Sequence, residues 1–200
     1  MLLLRELAKT TKFKAKIMKV GILRVGQADQ AVLLGIQDGL VKVYPDVTCN
    51  VINEIFPLSE KAFDKKRGQY SSSFILNEIR ALASRREDLQ RILGVVDVDI
   101  FVPELNYVFG EAYTPGKAAL ISLHRLRPEF YGETANMGLF LQRALKEAVH
   151  ELGHTLGLKH CPRHSCVMHF SNSIFDTDKK QSLFCDQCFL QATISISNVG

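Results

Sequence analysis

The residues of this chain that can do chemistry crowd into its last quarter. His150-Glu151-Leu152-Gly153-His154 is followed by Gly157 and His160. Residues four apart on an α-helix are rotated by about 40° from one another, so His150 and His154 would project from one face and chelate a single ion. A third ligand must come from beyond the helix. Gly157 can take the left-handed conformation that turns the chain back and would bring His160 to the same metal. Three imidazoles leave one tetrahedral position open, and an open position is what separates a catalytic zinc from a structural one. Glu151 is the acid placed to take a proton from a zinc-bound water, whose pKa falls from about 15.7 to about 7, and to protonate a leaving amine later. The pattern predicts amide hydrolysis. A bare HExxH string also arises by chance on amphipathic helices; the added glycine and third histidine make it specific.

A second constellation follows at once: Cys161-x4-Cys166-x18-Cys185-x2-Cys188. Two thiolate pairs separated by a loop match a closed tetrahedral zinc site with no vacancy for substrate, so its role is expected to be structural. Such an ion contributes on the order of 10–16 kcal/mol of folding free energy, enough to order a tail with little apolar core. The plainer alternative is four buried, unligated thiols. A nucleic-acid-gripping ribbon is disfavoured, because residues 161–200 balance Arg163, Lys179 and Lys180 against Asp176, Asp178 and Asp186. His160 and Cys161 share a peptide bond, so the second zinc is expected to steady the third ligand of the first. The expectation is two zinc ions per chain and no nucleic-acid partner.

These groups need a scaffold. With 200 residues, 46% hydrophobic and 23% charged, the chain suits one globular domain over residues 1–200. The net charge of +4 is too mild to imply an anionic partner. Much of it lies in residues 1–27, where Arg5, Lys9, Lys12, Lys14, Lys16, Lys19 and Arg24 face Glu6 alone, a pattern of a solvated start. Met1-Leu2-Leu3-Leu4 is cut off by Arg5 and Glu6, so neither a signal peptide nor a membrane span is expected. Five cysteines without an export signal point to a reducing compartment, the cytoplasm.

Met18 to Val25 reads as a first strand, and Ala28, Val32, Ile36 and Leu40 as a helix. Val41, Val43 and Val47 to Ile55 read as extended chain, and Ser59 to Ser73 as an exposed polar loop. Phe74 to Ile92 restores a helical period up to Gly94. Val96 to Val102 alternates as a strand, and Val108 to Tyr113 and Ala118 to Leu123 flank the turn Thr114-Pro115-Gly116. That alternation indicates an α/β layer with a largely parallel sheet. Residues 134–156 form the clearest helix, with Leu141, Ala144, Leu145, Ala148, Leu152 and Leu156 as its buried stripe. Periodicity is lost after Gly157.

The string HELGHTLGLKHC, then Cys166-Val167-Met168, then Cys185-x2-Cys188, resembles the archaemetzincins, a branch of the metzincin zinc metallopeptidases. Met168 matches the methionine turn that lies beneath the three-histidine site in metzincins, and VFGEAY at 108–113 is similar to the family's edge strand. The resemblance implies an α/β (α+β) catalytic domain split by a cleft. A mixed twisted sheet with two helices would lie above, over about 18–157 with the zinc-binding helix, and an irregular zinc-bearing part below, over about 158–200. It further implies catalytic zinc on His150, His154 and His160, Glu151 as base, and a second zinc on the four cysteines. A peptide or protein substrate would lie along the cleft, pairing with the edge at Phe109 to Tyr113. The alternative is a zinc-stabilised peptide-binding protein with little turnover. His164, His169, His124 and Cys49 are expected to be packed or surface residues without a ligand role.

Overall fold

The structure, a computed structural model, describes residues 17–44 and 46–198. The expectations for the apolar start and for most of the basic segment lie outside the described residues. Of that segment, Lys19 is exposed, whereas Arg24 is a half-buried residue of the first strand.

A five-stranded sheet runs in the order β2 (Val47–Phe56), β1 (Met18–Val25), β5 (Arg91–Val96), β8 (Ala118–Ser122) and β7 (Gly110–Ala112). The first four are parallel, and β7 closes one edge antiparallel to β8. Parallel strands covered on both faces read as continuous apolar runs rather than alternating ones; β5 and β8 are buried at every position. A small second sheet joins β3 (Phe63–Asp64), β4 (Gln69–Ser71) and β6 (Ile100–Phe101).

Helices cover both faces. α2 (Ser72–Ala83) packs Ile75, Leu76 and Ile79 against Leu23, Ile92 and Leu120. On the other face α1 (Gln30–Val43) and α3 (Met137–Thr155) lie over Val20, Ile22, Leu93 and Ile121. α1 approaches α3 closely because Gly35 and Gly39 face Leu141 and Leu145: a Cβ at either glycine would stand 2.9 or 2.5 Å from a leucine methyl. Asn136 caps α3 by accepting from the Leu139 N–H, so the helix starts three residues later than 134.

Several sequence expectations are corrected. Val41 and Val43 close α1 instead of starting a strand, because Val43 continues the buried stripe of Val32, Ile36 and Leu40; packing outweighs β-branched propensity. Residues 59–73 are not a free loop. They hold a 3-10 turn at Glu60–Ala62, β3, β4 and the first residues of α2, and the buried Gln69 amide donates to Asp99 and to the Asn106 carbonyl. The helix from Phe74 ends at Ala83, and Ile92, in period by coincidence, belongs to β5. The strand expected over Val96–Val102 splits at Asp97–Asp99, whose carboxylates anchor Arg127 and Arg125.

The tail also differs. Residues beyond Gly157 form α4 (Ile174–Lys179) and α5 (Asp186–Asn198). Val167, Met168, Ile174, Ala192 and Ile196 join the main core, so apolar burial orders a part that was expected to have little apolar core.

Candidate metal centres

The last turns of α3 present His150, Glu151 and His154. Nδ1 of His150 lies 2.8 Å from the Val167 carbonyl oxygen, and Nδ1 of His154 lies 2.8 Å from that of Leu158. A carbonyl only accepts, so each Nδ1 carries the proton and each Nε2 of the neutral ring is a bare lone pair. Those two Nε2 atoms face each other at 3.1 Å. Two acceptors so close need a cation or a proton between them. Burial above all, helped by the Lys180 charge, holds His150 well below the ordinary imidazole range, and burial likewise lowers His154 and His160. A proton is therefore disfavoured and a metal ion suits the site.

Gly157 follows with φ of 87°, a conformation that favours glycine. The chain turns there and brings the His160 ring to 5.3 Å from His150 and 4.9 Å from His154, centroid to centroid. One ligand atom of each of the three histidines lies within 4.8 Å of the others. Three neutral imidazoles are a donor set that fits zinc.

All three line a cleft of about 480 Å³ whose opposite wall is the segment Leu105–Ala112. Glu151 sits between helix and wall. A Cβ on Gly110 would stand 2.6 Å from Cγ of Glu151 and 2.8 Å from its Oε1, so the missing side chain of β7 is the space that Glu151 occupies. Burial, reinforced by Glu147, pushes the Glu151 carboxyl well above the usual range, with Lys180 opposing.

Beneath α3, a Cβ on Gly153 would stand 2.5 Å from Sδ of Met168, which is itself wholly buried. Met168 thus packs under the turn between His150 and His154. Its neighbour Val167 holds the His150 ring, and its own carbonyl accepts from the Cys161 N–H at 2.9 Å. This one turn touches both sites.

The four clustered cysteines also converge. Their sulfurs lie within 4.8 Å of one another, and none is in a disulfide. Four sulfurs at about 2.3 Å from a tetrahedral ion are separated by about 3.8 Å; Sγ of Cys161 and Cys185 stand 3.8 Å apart. Burial opposes the Cys185 thiolate, but the Cys188 N–H and the neighbouring thiols outweigh it and bring the thiol down to about 7.

Some functional neighbours have no local sequence signal. Lys180, fully buried, donates to Glu147 at 3.0 Å, and Arg143 pairs with Asp178 at 2.7 Å; both ties run from α3 to the end of α4. Glu147 could have been found, since it precedes Glu151 by one turn on the same face. Tyr44 donates to the Val149 carbonyl beside His150. Glu111 of β7 accepts from Ser72 and Ser73 at the start of α2, fixing the cleft wall to the scaffold. Cys49 is buried and its thiol pushed up to about 12 by burial, while His124 packs on Phe130. His164 and His169 lie beside the cysteine centre, outside both ligand sets.

Comparison with known proteins places the chain in a family. The family model for peptidase family M54 matches residues 15–193. The archaemetzincin of Methanocaldococcus jannaschii is 44% identical over 172 residues, covering 86% of this chain and 91% of the relative. The crystal structure of archaemetzincin from Methanopyrus kandleri superposes with a TM-score of 0.79 at 31% identity, over 92% of this chain and 98% of that one. A structure described as a zinc-dependent peptidase from Methanocorpusculum labreanum gives a TM-score of 0.79 at 28% identity, over 86% and 99%.

Proposed function

The chain belongs to peptidase family M54 and is a zinc metallopeptidase; from that premise we propose that His150, His154 and His160 hold its catalytic zinc, that Glu151 is the general base, and that Cys161, Cys166, Cys185 and Cys188 hold a second, structural zinc. The observation that carries this reading is the pair of bare Nε2 atoms facing each other at 3.1 Å at the foot of a cleft that also holds Glu151. When bound there, zinc supplies Lewis acidity, which acidifies water and polarises a carbonyl oxygen.

The protein's own groups do the rest. Glu151 takes the proton of the attacking water at a carboxylate oxygen and passes it to the departing amide nitrogen. β7 pairs only with β8 among the described residues, so its other edge offers main-chain N–H and C=O groups to an extended peptide. Met168 and the Val167 carbonyl fix the height and tilt of the histidine pair. Because His160 adjoins Cys161, the cysteine centre holds the third ligand in place. The two parts, about 18–157 and 158–200, act as one unit tied by Lys180–Glu147 and Arg143–Asp178. No helix among the described residues is long and apolar enough to cross a membrane; we place the enzyme in the cytoplasm, where free thiols persist.

The test is Glu151→Gln. It should retain two zinc ions and bind peptides while losing cleavage of a diverse peptide library. Undiminished turnover by that variant would remove Glu151 from the mechanism. A wild-type protein that holds peptides and yields no products would instead favour the peptide-binding alternative.

A further inference from the structure

Beside the cysteine centre, outside both ligand sets, His164 and His169 form a pair. Nδ1 of His164 lies 3.0 Å from Nε2 of His169, with ring centroids 4.5 Å apart and planes at 70°. The pair formed by His150 and His154 has similar ring geometry, at 3.1 Å, 4.6 Å and 88°, although there both facing atoms are Nε2. His169 is anchored as a metal-ligating histidine usually is: its Nδ1 lies 2.9 Å from the Cys161 carbonyl oxygen, so Nδ1 carries the proton and Nε2 is bare. We propose that His164 and His169 form a third, surface site for a late first-row divalent ion such as Ni²⁺, Cu²⁺ or Zn²⁺, weaker than the other two.

The chemistry is simple. Without an ion, His164 donates its Nδ1–H to Nε2 of His169. On binding, that proton moves by way of solvent to Nε2 of His164, an exposed residue, and both facing nitrogens become ligands with no net proton released. Two nitrogens 3.0 Å apart, each about 2.05 Å from an ion, subtend about 94° at it, close to the right angle of square-planar or octahedral coordination and narrower than a tetrahedral corner. The loop 162–170 carries no carboxylate, so water fills the remaining positions. Arg163 adjoins the site, and the Lys180 ammonium lies 3.5 Å from the His169 carbonyl; both cations oppose binding. Four thiolates around one divalent ion carry a net charge of −2 next door and offset them.

The site is independent of hydrolysis, so its failure would leave the proposed function untouched. The experiment is calorimetric titration of the zinc-loaded protein with Ni²⁺, with zinc content measured before and after. The expected result is one Ni²⁺ per chain with all zinc retained. His164→Ala should bind at least about 10–100-fold more weakly, since losing a ligand costs no less than losing an outer-shell partner, while His124→Ala should bind as the wild type does. No saturable Ni²⁺ binding, uptake only in exchange for zinc, or equal affinity in His164→Ala would overturn the proposal.

Discussion

Gly110→Ala tests whether the cleft wall sets the position of the proposed base. The added methyl carbon would meet Cγ of Glu151 at 2.6 Å and the Leu120 main-chain oxygen at 2.7 Å. Carbon atoms settle at about 3.5–4.0 Å, so either the carboxylate or the strand must retreat by about 1 Å. A misplacement of that size at a reacting group can cost ~10²-fold in rate, equivalent to about 2.7 kcal/mol of transition-state stabilisation. The assay is steady-state peptide cleavage with zinc content and melting temperature measured alongside. The expected outcome is a ~10²-fold fall in kcat with zinc retained. In a Glu151→Ala background, which relieves the carboxylate contact but leaves the one with the Leu120 oxygen, Gly110→Ala should reduce the residual rate far less and should destabilise less than in the wild type. Near-normal turnover by Gly110→Ala, or an equal loss in both backgrounds, would mean that the cleft wall does not set the Glu151 carboxylate's position.

Other perturbations reach the supports of the site. Lys180→Met leaves Glu147, 3% exposed, without its charged partner and with only the Thr177 hydroxyl donating to it, and breaking a buried pair from one side costs about 3–5 kcal/mol. Chemical denaturation should show that loss, with Glu147→Leu/Lys180→Met recovering part of it. Tyr44→Phe removes the hydroxyl that donates to the Val149 carbonyl; about 1–2 kcal/mol should be lost, with a melting temperature lower by roughly 2–4 °C per kcal/mol. Burial opposes the Asp99 carboxylate, but hydrogen bonds from Arg125 and Gln69 outweigh it and hold its pKa below the ordinary value. The stability it adds is complete above the unfolded value of about 3.9 and is lost as pH falls through the lower folded one. The melting-temperature gap between wild type and Asp99→Asn should therefore shrink on acidification below that point, from a modest size because Asp99 is partly solvated.

What the sequence made legible was what depends on local spacing. His150 and His154 are brought together by helical pitch alone, Gly157 announces the turn, and the cysteine intervals announce their cluster; the structure gathers all seven side chains into the two expected groups. β1 spans the predicted residues, and the sheet is parallel with an antiparallel edge. Less legible were places where distant partners decide. Ile92 continues the rhythm of α2 yet is claimed by a strand between β1 and β8. Gln69 looks like loop polarity until Asp99 and Asn106 meet it. The tail helices carry too few apolar residues to announce themselves, and Ile174, Ala192 and Ile196 find their core only against the rest of the chain. Lys180 reads as a solvated charge and is fully enclosed because Glu147 lies 33 positions earlier on α3.

The most direct measurement is an anomalous-difference map recorded at the zinc edge from crystals of the purified enzyme. Two strong peaks per chain are expected, whether or not the weaker histidine pair adds a fainter third: one among the four cysteine sulfurs, the other bonded to Nε2 of His150 and His154 and to the His160 ring, with a non-protein ligand completing it next to Glu151. A His160 ring directed away from that peak, or a side chain permanently filling the fourth corner, would contradict it.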